Sequence, residues 1–162
     1  MSIDAAGRSA VLVAKEISAG YGELALVELP AIELLTELGW THKNLQGETF
    51  GPQGSEGRHS EAQVLLTPRL RQALEALNPG LPGDAYAQAI EQLALDRSKQ
   101  IAVNANREVY RLLKDGVKVQ LPQGPDDRGG PRTETLRVID WERPERNDFF
   151  LASQLWVAGD MY

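Results

Sequence analysis

Carboxylates are the side chains in this sequence best placed to do chemistry. Glu28 opens a leucine-rich stretch, Asp140, Glu142, Glu145 and Asp148 crowd around Pro144, and Asp160 stands near the C-terminal end. Two or three such groups can hold a divalent cation against a phosphodiester, and a lysine commonly steadies the attacking water or the developing charge. One arrangement that nucleases use is an aspartate beginning one strand and a Glu-x-Lys on the next. The lysines are Lys15, Lys43, Lys99, Lys114 and Lys118, and two places before them stand Val13, Thr41, Arg97, Leu112 and Gly116. No acid-x-Lys triplet exists in the chain. The cluster from Asp140 to Asp148 reads as a solvated turn, with Asp148 capping or bracing it. Glu28 reads either as an acid facing a metal or as a helix-start glutamate favoured by the helix dipole.

Other chemistries are excluded more simply. There is no cysteine, so disulfides, thiolate zinc sites and thiol nucleophiles are out. His42 and His59 are the only imidazoles; they sit in no repeated ligand spacing, and His59 reads as a polar loop residue. Gly47, Gly51, Gly54 and Gly57 share one loop, but no Gly-Lys-Ser/Thr follows them, so a phosphate-cradling loop is missing. A Gly-x-Ser-x-Gly elbow is also absent.

The elements that must position these groups follow from periodicity. Residues 1–22 are small, polar and weakly patterned, and read as a flexible arm before a body spanning 23–162. Leu29, Ile32, Leu35 and Leu38 predict a helix from Ala25 to Leu38, with Pro30 in its first turn and Gly39 ending it. Trp40 to Leu45 suits a short strand, and Gln46 to Ser60 an exposed loop. Helices are predicted from Thr67 to Leu77, from Asp84 to Leu95 and from Ser98 to Lys114. Val117, Val119 and Leu121 then alternate with polar residues, as in a half-buried strand. After a turn-rich loop from Pro122 to Arg132, strands are expected over Thr133–Trp141 and Phe149–Val157, with antiparallel pairing favoured by the short connections. The expected class is α+β (α/β), a helical layer plus a mixed sheet.

Composition sets the bounds. The length of 162 residues suits one domain or a little more, at 42% hydrophobic and 25% charged residues. The net charge of −6 argues against a dedicated basic DNA-binding module, while leaving room for a local basic strip. No apolar run reaches bilayer length and no secretory signal opens the chain, so the cytoplasm is the expected location.

Several segments together resemble the N-terminal region of type I restriction endonuclease R subunits. The run from Glu28 through Leu38-Gly39-Trp40 is similar to that family's opening acid-bearing helix. Arg58 to Leu66, then Leu70 to Asn78-Pro79, resembles its arginine-bearing step into a helix ending Leu-Asn-Pro. Asn106 to Val117 resembles its next helix and strand. Val138 to Leu151, with Ile139-Asp140-Trp141, Pro144 and Asn147-Asp148-Phe149, resembles the approach to its nuclease core. The resemblance covers residues from about 28 to 162.

It implies an incomplete PD-(D/E)xK restriction-endonuclease-like core. The main catalytic aspartate and Glu-x-Lys would then lie beyond Tyr162, with Asp160 slightly too early for the first. It also implies Mg²⁺ for the nuclease and ATP for an absent motor domain, neither assignable to residues of this chain. Double-stranded DNA and the modification (M) and specificity (S) subunits are the implied partners. Glu28 is the implied catalytic residue, while Lys43, Arg58, Arg69 and Arg71 are candidates to touch phosphates. The parent enzyme would be a type I site-specific deoxyribonuclease, and this piece alone is expected to be inactive. A non-catalytic docking module on the same scaffold is the alternative. A sheet ending at Phe149–Val157 would also expose an edge strand through which the piece self-associates.

Overall fold

The computed structural model describes residues 24–122 and 132–158. The predicted arm, Asp160 and most of the Pro122–Arg132 loop lie outside the described residues. The described residues divide into two compact units, one formed by 24–46 with 149–155 and the other by 47–122 and 132–148 with 156–158. No helix among the described residues is long and apolar enough to cross a membrane.

In the first unit a π-helical turn, Leu24–Glu28, runs into helix α1, Leu29–Glu37. Pro30 sits in the first turn of α1, where its missing N–H costs nothing. Gly39 adopts φ 90°, and the amides of Gly39 and Trp40 return to the carbonyls of Thr36 and Leu35, closing the helix end. The expected inward stripe is only half right. Ile32 and Leu35 are partly buried, whereas Leu29 and Leu38 are exposed. Strand β1, Thr41–Asn44, follows, and the Trp40 ring lies 5.1 Å from that of Phe149.

The second unit holds helices α2 (Thr67–Leu77), α3 (Gly83–Ala94) and α4 (Ala102–Asp115), then strands β2 (Val117–Leu121) and β3 (Arg132–Leu136). The alternation in β2 is realised: Val117, Val119 and Leu121 are buried, Lys118 and Gln120 exposed. They pack with Leu136 of β3, Leu74 of α2, and Ala85, Tyr86 and Ala89 of α3 into one core. β2 and β3 pair antiparallel, Val117 opposite Leu136. The other edge of β2 is closed by side chains rather than by a strand. Gln88 donates to the Gln120 carbonyl and accepts from its amide, and Gln92 donates to the Lys118 carbonyl, at 2.8 to 3.0 Å. Two helix glutamines thereby satisfy an edge that would otherwise present bare peptide groups.

Strand pairing departs from expectation at the C-terminal end. β3 stops at Leu136 instead of Trp141, and a 3₁₀ turn forms at Pro144–Arg146. The last strand is β4, Phe150–Ser153, and it pairs parallel with β1, Thr41 opposite Phe150 through Asn44 opposite Ser153. Short connections favour hairpins only when nothing redirects the chain. Here β4 instead joins β1, more than a hundred residues earlier in the chain. The α+β class stands, as four α-helices with two small two-stranded sheets among the described residues.

Candidate functional site

Glu28 ends the π-helical turn and enters α1, partly exposed, with its carboxylate facing the residue after β4. The Gln154 side-chain amide donates from Nε2 to both oxygens, at 2.9 Å to Oε1 and 2.8 Å to Oε2. Gln154 itself has φ 55°, in the left-handed region that side chains other than glycine rarely adopt. Beside it, Ser153 is buried and its Oγ lies 2.8 Å from His42 Nε2 on β1. The carboxyl end of β4 thus carries Ser153 and Gln154, the first meeting His42 from within β1 and the second meeting Glu28. Sequence reading named Glu28 and missed Gln154, whose partner is 126 positions away.

These groups do not make a metal site. Among the described residues no three His, Asp or Glu side chains gather closely enough to hold an ion. Glu28 offers one carboxylate, already engaged by an amide. No metal-dependent step is assigned to the residues present.

The four basic residues expected to touch phosphate have different fates. Lys43 lies exposed on β1 in the first unit. Arg58 is 0% exposed. Its Nε donates to the Gln63 carbonyl at 2.5 Å, Nη1 to Glu48 at 2.6 Å, and Nη2 to the carbonyls of Glu61 and Trp156 at 2.8 Å each. Its guanidinium also lies 5.3 Å from the Phe50 ring. Arg58 is therefore a buried bracket, with no face turned to a ligand. The loop predicted to be simply exposed is tied down through it. Arg69 is half-buried and paired with Asp148 at 2.5 Å, and Arg71 pairs with Glu75 at 2.9 Å while lying over the Tyr86 ring.

In the acidic turn Glu142, Glu145 and Asp148 are exposed as expected, and Asp140 is the exception. Asp140 is 2% exposed, not solvated. Arg146 approaches it at 3.4 Å, and Arg137 and Arg143 each at 3.7 Å. Burial is the largest single influence and disfavours its charge. The Arg143 amide, the Arg143 and Arg137 guanidiniums and the Glu142 amide together outweigh it, holding the carboxyl below the ordinary aspartate range. Asn147 accepts from the Asp140 amide and donates to its carbonyl, which locks the turn. Asp148 braces the region as anticipated, through Arg69.

Comparison with known proteins adds a family to this geometry. The model of the type I restriction enzyme R protein N terminus matches residues 20–162. The chain is 28% identical over 132 residues to the type I restriction enzyme HindI endonuclease subunit of Haemophilus influenzae, covering 81% of this chain and 12% of that protein. It is 29% identical over 150 residues to the type I restriction enzyme MjaIXP endonuclease subunit of Methanocaldococcus jannaschii, covering 88% of this chain and 13% of that protein. The chain thus spans about an eighth of the length of these relatives. No solved structure matches it.

Proposed function

Since the chain belongs to the family of type I restriction enzyme R protein N termini, we propose that it forms the front of a DNA-cleavage domain in a multi-subunit restriction enzyme. That enzyme hydrolyses phosphodiesters of double-stranded DNA with Mg²⁺ and ATP, and works in the cytoplasm beside modification and specificity subunits. The Mg²⁺ ligands, the Glu-x-Lys and the ATP-driven motor belong to other parts of the longer polypeptide. The scaffold reading is a PD-(D/E)xK-like core to which this chain supplies the first helix, the helical layer and β1 to β4.

The observation that carries the reading within the chain is the Glu28–Gln154 pair. A strand-end residue in a strained conformation aims its amide at both oxygens of one carboxylate. Such strain persists only where the surroundings over-determine it, and it clusters at functional sites. Glu28 acts as the carboxylate of the cleavage site, and Gln154 as its positioning residue.

The test uses the full-length polypeptide assembled with its partner subunits on supercoiled plasmid, with Mg²⁺ and ATP. Glu28→Gln is expected to lower cleavage by on the order of a hundredfold, the scale for losing a positioned acid or base, while ATP hydrolysis persists. Gln154→Leu should lower cleavage less, and Gln154→Glu more than Gln154→Leu, because it sets two carboxylates face to face. Wild-type cleavage by Glu28→Gln removes Glu28 from the site. An assembly that hydrolyses ATP but never cuts supports the docking-module alternative. The 162 residues alone should not nick plasmid, since they hold no acid-x-Lys triplet.

A further inference from the structure

Most of the described arginines of this acidic chain lie beside a carboxylate of the same fold, three of them sharing Asp140. Arg58, Arg69, Arg71, Arg97, Arg132, Arg137, Arg143 and Arg146 each approach a carboxylate within 4 Å. Among the described residues the exceptions are Arg107 and Arg111, and both lie exposed on α4. Their spacing of four places them on one helical face, one turn apart. They line an open groove of about 300 Å³ with Gln100, Asn104 and Glu108. Glu108 does not neutralise them. Its Oε1 accepts from Arg97 Nε and Nη2 at 3.0 and 2.8 Å, and its Oε2 from Gln100 at 3.3 Å. Lys114, one turn beyond Arg111, extends the basic face and lies over the Tyr110 ring.

Like charges one turn apart repel and weaken a helix. Neither guanidinium forms an ion pair in the described structure, whereas each of the other described arginines has a carboxylate within 4 Å. An anionic partner from outside would offset the repulsion. Two guanidiniums beside the Asn104 amide present planar forks of donors suited to phosphate oxygens.

We propose that the Arg107–Arg111 face of α4 is a docking surface for the phosphate backbone of double-stranded DNA. This rests on the cleavage-domain reading above and adds to it the surface that holds the duplex. The contact is independent of base sequence, since phosphates carry none.

The experiment measures affinity of the full-length polypeptide for a fluorescent random-sequence duplex by anisotropy, from 50 to 200 mM salt. In Arg107→Gln/Arg111→Gln the slope of log K against log salt is expected to shrink by about two, because each phosphate contact releases close to one counterion. Affinity at the low-salt end should fall at least tenfold. Arg132→Gln removes an exposed arginine that is paired with Glu134, and should leave the slope unchanged. Thermal unfolding of the double variant is expected to match or exceed wild type, since a repulsion is removed. An unchanged slope in the double variant overturns the proposal, as does loss of subunit assembly with DNA binding intact, which would assign the face to a protein partner. Cleavage by the wild-type assembly is scored in parallel. If it cuts DNA while the slope is unaffected, this surface fails and the cleavage-domain reading stands. If it neither binds nor cuts DNA, both fail.

Discussion

Asp140 shows how one residue can hold a turn that resembles free surface in sequence. Its carboxylate collects Arg137, Arg143 and Arg146, and its backbone is clasped by the Asn147 side chain. Because its folded-state pKa lies below the ordinary 3.8, the unfolded chain binds its proton more tightly than the folded one. Stability from this group is complete above the unfolded value and is lost as pH falls through the folded one. Asp140→Asn is therefore expected to be destabilised at neutral pH, since three guanidiniums lose their shared anion. The gap to wild type should narrow as pH is lowered through and below 3.8. Thermal melts of both proteins across that range check it, and a pH-independent gap would contradict the charge argument. Arg58 is a buried cation that is tolerable because Glu48 and three carbonyls receive it.

At the scale of elements, amide side chains join segments that no sheet ladder connects. Gln88 and Gln92 of α3 finish the open edge of β2. Asn78, closing α2, donates to the Arg137 carbonyl and accepts from its amide at 2.9 and 2.7 Å, and its own carbonyl receives the Tyr86 hydroxyl. The passage from α4 to β2 depends on Gly116, at φ 86° and ψ 171°, a region that essentially glycine alone occupies. A Cβ there would also stand 2.6 Å from the Leu136 carbonyl oxygen of β3. Gly116→Ala is expected to cost about 1–3 kcal/mol from the backbone conformation alone, with more from the overlap. Denaturant unfolding measures it. A variant as stable as wild type would show that the α4–β2 turn relaxes freely.

For the molecule as a whole, β4 has a strand partner on one side only among the described residues. Phe149 and Trp156, flanking it in sequence, are 37% and 69% exposed. A strand with one open edge and apolar flanks is a template for another chain. The isolated 162 residues are expected to associate as concentration rises, and Trp156→Glu to reduce that association. The exchange leaves the backbone carbonyl that Arg58 uses. Light scattering over a concentration series decides, and a wild-type chain that stays monomeric throughout would show the edge to be protected.

What the sequence determined by itself was whatever depends on neighbours along the chain. The helix period around Ile32 and Leu35, the alternation of Val117, Val119 and Leu121, and the stops at Gly39 and Asn78 each express local geometry, and each is present in the structure. The family was legible for a related reason, since ordered segments at characteristic spacing survive even where each is weak. Tertiary structure alone decided which charges are spent. Arg58, Arg107 and Asp140 look alike on paper as polar residues in polar surroundings. One is a buried bracket that reaches a carbonyl 98 residues away, one an unpaired surface cation, and one an anion whose arginines stand close in sequence but which only the fold encloses. The same holds for the parallel pairing of β4 with β1 and for Gln154 at Glu28. A ladder or side-chain hydrogen bond needs its partners within about 3 Å, and nothing in the order of residues shows which remote groups will come within that distance.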